Sequence, residues 1–126
     1  MLTVALVLAG LAALVHVYIF WLEALAFETA GRRVFGVAAA DVTAMKPWAF
    51  NQGFYNLFLA VGTGVGVAIN GANRDAGTAL VVLGAGSMLA AALVLAGSDR
   101  TKLRGALVQG TLPALSLLSL ALWAWT

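Results

Sequence analysis

The sequence predicts an all-α integral membrane protein, a four-helix bundle with its N-terminus and C-terminus outside. Three observations carry this. Of 126 residues, 63% are apolar and only 10% charged, where soluble domains run at about 45–50% and about 25%. A chain this short has no aqueous core large enough to hide so much apolar surface, and its mean hydropathy of +0.99 agrees. The apolar residues also fall into four runs, each close to the roughly 20 residues a membrane-crossing helix needs. The basic residues, finally, sit in the connections between those runs and gather on one side.

The first span covers about residues 2–22. It lacks a basic leader, and its apolar run exceeds the roughly 7–15 residues of a signal-peptide core, so a retained helix is expected. Ala5, Ala9, Ala12, His16 and Glu23 recur along it at helical spacing. His16 and Glu23 are seven residues apart, about 20° short of two full turns. They share one face, roughly 10 Å apart along the axis. The connection 23–49 is the one long loop. Within it Thr29–Arg33 reads as a turn and Val37–Lys46 as a short helix on the inner surface.

The second span covers about residues 50–69, with Pro47 suited to the first turn of its helix. It opens with a polar run: Asn51 and Tyr55 share one face, Gln52 and Asn56 the adjacent one. Gly62 and Gly66 form a small-xxx-small pair, a candidate homodimer face. Asn70–Asn73 reads as a helix stop. The third span, about residues 76–96, has no strong polar group and offers Gly84, Gly86, Ala90, Ala92 and Ala96 as a packing wall. Asp99 is suited to cap the fourth span, about residues 103–125. That span places Gln109, Ser116, Ser119 and Trp123 on one stripe. Pro113 within it frees the Gln109 carbonyl four residues back, so a bend is expected there.

The loops set the orientation. Arg32, Arg33, Lys46, Arg100, Lys102 and Arg104 lie on one side, and Arg74 alone on the other. By the positive-inside rule the first side is cytoplasmic. Trp21 and Trp48 then fall at the inner interface, Trp123 and Trp125 at the outer one.

Composition also excludes chemistry. The absence of cysteine removes disulfides, thiol catalysis and zinc–thiolate sites. A single histidine leaves no multi-histidine metal centre, and no metal or cofactor is expected. The pI of about 9.5 rests on loop residues and does not imply a nucleic-acid partner. No phosphate loop, nucleophile elbow or dinucleotide fingerprint is present.

Polar residues inside spans are costly and default to functional hypotheses. His16, Asn56 and Gln109 each fall six to eight residues from the inner end of their span, roughly 9–12 Å deep. His16, Tyr18, Glu23, Asn51, Gln52, Tyr55, Asn56 and Gln109 are therefore expected to form one polar pocket. The leading reading is binding or transport of a small lipophilic or amphipathic molecule. An acid–base enzyme using His16 and Glu23 is the second, whether isomerase or hydrolase. A non-catalytic accessory subunit, with polar groups serving packing alone, is the third.

Two stretches carry a resemblance. His16-Val17-Tyr18-Ile19-Phe20-Trp21-Leu22-Glu23 and Asn51-Gln52-Gly53-Phe54-Tyr55-Asn56, with Val34-Phe35-Gly36 between them, resemble the small four-span bacterial membrane proteins catalogued as domain of unknown function 1304. The resemblance implies the membrane class and supplies no activity. A glutamate often precedes the histidine in that family. Val15 stands there in this chain, which removes the second carboxylate of a two-acid mechanism.

Overall fold

In hydrocarbon every backbone N–H and C=O must find its partner within the chain, so each apolar run becomes helix. The computed structural model describes residues 1–126 and contains α1 (Leu2–Phe20), α2 (Arg32–Phe35), α3 (Val42–Ile69), α4 (Arg74–Ser98) and α5 (Leu103–Ala124). Four helical segments are long and apolar enough to cross a membrane, ending or starting close to the expected spans. They pack in a ring, α1 against α3, α3 against α4, α4 against α5 and α5 against α1.

The connection between the first two spans departs from expectation. Thr29–Arg33 is no simple turn. Two π-helical stretches, Trp21–Leu25 and Phe27–Gly31, prolong α1 and lead into α2. Ala26 breaks them with φ −122° and ψ 22°. The Ala26 N–H donates to the Trp21 carbonyl at 2.9 Å, and the Gly31 N–H to the Ala26 carbonyl at 2.8 Å. Both bonds span five residues, the wide spacing of a π turn. Gly36 ends α2 at φ 68°, a left-handed cap that favours glycine.

Nor does Val37–Lys46 form a separate surface helix. A short 3₁₀ turn, Ala39–Asp41, runs straight into α3, which starts at Val42, ahead of the apolar run at 50. Pro47 therefore sits inside α3, not in its first turn. Only the bond to the Thr43 carbonyl is lost, and residues 43–48 are exposed. Pro113 is buried within α5, which runs on through it to Ala124.

The interior is made of small residues. Ala5 and Ala9 of α1 meet Val81 of α4 and Leu120 of α5, and Ala12, Ala13, Ala60, Ala85, Ala92 and Ala106 are buried around them. Close approach is the main stabilising geometry between helices in lipid. A Cβ on Gly66 would stand 2.8 Å from the Gly77 carbonyl oxygen and 2.9 Å from the Val81 nitrogen. Gly66 is thus consumed by the α3–α4 seam, and Gly62 with Gly66 does not form an outward-facing homodimer pair. Leu14, Phe58, Leu83 and Val94 face outward, each more than 60% exposed.

Candidate intramembrane polar site

Glu23 lies in the first π-helical stretch and is half-buried. The Asn56 side-chain amide donates to its Oε2 at 2.8 Å and also to the Gln52 carbonyl at 3.2 Å. Gly53 makes this meeting possible. A Cβ there would fall 3.0 Å from the Ala24 nitrogen and 3.1 Å from the Glu23 Cβ. Phe20 of α1 and Phe54 of α3 meet edge to face beside it, centroids 5.2 Å apart.

An open-sided groove of about 480 Å³ adjoins this pair. Its polar lining is Glu23, Asn51 and Gln52, and its apolar lining Phe27, Phe35, Val37, Met45, Trp48 and Ala49. The groove lies between the π-helical end of α1, the connecting segment and the start of α3. Two cations stand near its rim. Lys46 pairs with Glu28 at 3.1 Å, and Lys102 donates to the Phe35 carbonyl.

The expected residues do not all converge. Glu23 and Asn56 bond, and Glu23, Asn51 and Gln52 share the groove. His16 is buried, its Nδ1 2.9 Å from the Ala12 carbonyl of its own helix. With Glu23 opposite Asn56 on antiparallel helices, His16 is level with Thr63, two turns beyond Asn56. Glu23, and not His16, is thus the α1-side partner of Asn56. Tyr18 and Tyr55 are exposed on the outer face. Gln109 is half-buried on α5 and lines neither the Glu23 groove nor the α4–α5 groove of about 210 Å³.

Three other buried polar side chains, Thr63, Asn70 and Ser116, are bonded within the bundle. The Thr63 hydroxyl donates to the Leu59 carbonyl at 2.7 Å. The Asn70 amide donates to the Thr78 hydroxyl at 3.1 Å. The Ser116 hydroxyl crosses from α5 to the Ala5 carbonyl at 2.8 Å. No fully buried side-chain nitrogen or oxygen lacks a partner. Sequence reasoning missed the apolar wall of the groove. The aromatic residues Phe27, Phe35 and Trp48, unusual in a connecting segment, were the available signal.

No group of three or more histidine and acidic residues is placed to hold a metal. Four apolar helices, outward aliphatic faces and a saturated interior define a multi-span helical membrane protein. Within that class the chain belongs to the family described as protein of unknown function (DUF1304), which it matches over residues 10–121. No curated protein and no solved structure matches the chain.

Proposed function

We propose that the protein binds a small lipophilic or amphipathic molecule in the groove at the π-helical end of α1, and that this end lies in the cytoplasmic leaflet of a bacterial inner membrane. One observation carries the reading: a carboxylate and two amides line an otherwise apolar groove. Ligand sites typically combine apolar walls with a few orienting polar groups, and π-helical turns recur at functional sites. Glu23, Asn51 and Gln52 would touch the ligand, and Asn56 would hold Glu23. His16, Tyr18, Tyr55 and Gln109 would have supporting positions.

The test is photolabelling in lipid nanodiscs with diazirine-bearing decanol, decanoate and decyltrimethylammonium. Adducts should concentrate on Phe27, Met45 and Trp48 relative to the lipid-facing Phe58 and Leu83, with at least one head group. Even labelling of all five positions by every probe would overturn the reading. A second reading, an accessory subunit, is supported by the internal bonding of the buried polar groups. Even labelling is the outcome it expects.

A further inference from the structure

Glu23 is the acid that stands out. It is half-buried within a span, yet no cation of this chain pairs with it. Its side-chain partner is the Asn56 amide, on one oxygen. The two lysines near the groove are already engaged, Lys46 by Glu28 and Lys102 by the Phe35 carbonyl. An ionised carboxylate without a counter-charge at membrane depth is costly. The same groove presents Phe27, Phe35 and Trp48. Aromatic faces attract cations through their quadrupole, and aromatic walls are a recurring way to hold quaternary ammonium groups.

We infer that the groove takes the cationic head of an amphipathic ammonium compound, with Glu23 as its counter-charge and Phe27, Phe35 and Trp48 as its aromatic walls. The inference rests on the groove being the binding site and adds the chemical class of what it binds. Asn51 and Gln52 solvate the head group's periphery, and Val37 and Met45 meet the start of its alkyl chain. An anionic head would face Glu23, and both lysines near the groove already have partners. A neutral head would leave the carboxylate uncompensated.

Comparison of probe head groups in the unmodified protein decides this without any substitution. Decyltrimethylammonium carries a permanent charge. It should label the groove about tenfold more strongly than decanol, the scale of a hydrogen-bonded or charge-paired contact. Decanoate should label least. In Glu23→Gln the amide oxygen still accepts from Asn56, so the local fold has its bond, and the ammonium-to-decanol ratio should fall toward one. Trp48 is 79% exposed, so Trp48→Leu leaves packing alone, and it should lower the same ratio about threefold through loss of a cation–π contact. Groove labelling by decanol and ammonium alike, with a ratio unmoved in Glu23→Gln, would overturn the cation assignment while leaving the groove as the binding site. Absence of groove labelling by any probe would overturn both.

Discussion

Gly62 and Gly66 stand one turn apart on α3 and do opposite things. Nothing lies within 4 Å of a Cβ built on Gly62, whereas one on Gly66 meets the Gly77 oxygen, Leu80 and the Val81 nitrogen at 2.8–2.9 Å. Two of those are backbone atoms that cannot swing aside. Gly66→Ala should therefore cost about 1–3 kcal/mol, the range for forcing extra volume into a packed seam. Gly62→Ala should stay within about 0.5 kcal/mol. Unfolding titrations in mixed SDS micelles check the pair, and equal losses would show that the seam does not depend on Gly66. Single residues of the candidate site were legible unevenly. Glu23 and Asn56 were readable as a costly acid and an amide near the same surface. His16 was readable as a buried polar residue, but the bond of its Nδ1 within its own helix was not, because Ala12 carries no mark of it.

At the scale of elements, the helices were readable and their joints were not. Apolar run length reports span length directly, since the bilayer sets it. A π turn shifts the hydrogen bond by one residue and leaves no residue pattern, so the continuation of α1 was invisible, and with it the place of Glu23 on a π turn. The turn into α5 was readable because its cap has a side-chain signature. Asp99 accepts from the Thr101 N–H at 2.9 Å and the Thr101 hydroxyl at 2.6 Å. Those bonds, the hydroxyl's first, together with the charge of Lys102, hold its carboxyl below the usual range. A lowered value means that the cap is fully in place above the ordinary carboxylate range, near pH 4. It is lost as pH falls through the lower folded value. The Thr101 amide chemical shift should stay constant from neutral pH down to about 4 and move only below it. In Asp99→Asn it should not follow carboxyl titration at all. A shift that moves at pH 5–6 in the unmodified protein would contradict the capping assignment.

The whole molecule contains no cysteine, which makes its orientation directly measurable. Ala40 is exposed on the connection between α2 and α3. Gly71 is exposed at the opposite end, with open space around its Cβ position. In spheroplasts an impermeant maleimide should label Gly71→Cys and leave Ala40→Cys unlabelled until the membrane is broken. The reverse pattern would place the basic loops outside. Membrane class and bundle were legible because hydrocarbon allows so few backbone solutions. The convergence of polar groups from three spans was not, since it depended on how deep each helix sits against its neighbours. What the bundle brings together is Glu23 with Asn56, and an adjoining groove walled partly by the connecting segment.

The alanine-rich interior has a further consequence. Eight of the fourteen buried hydrophobic residues are alanine, so shaving side chains, the usual way to wreck a core, has little to remove there. The vulnerable direction is enlargement, at Ala5, Ala9 and Ala12 and at the seam glycines Gly66, Gly77, Gly84 and Gly110. A map of tolerated substitutions for this chain is therefore turned inside out relative to a water-soluble bundle. The bulky outward residues are freely exchanged among apolar types, and the smallest inward ones are the least replaceable.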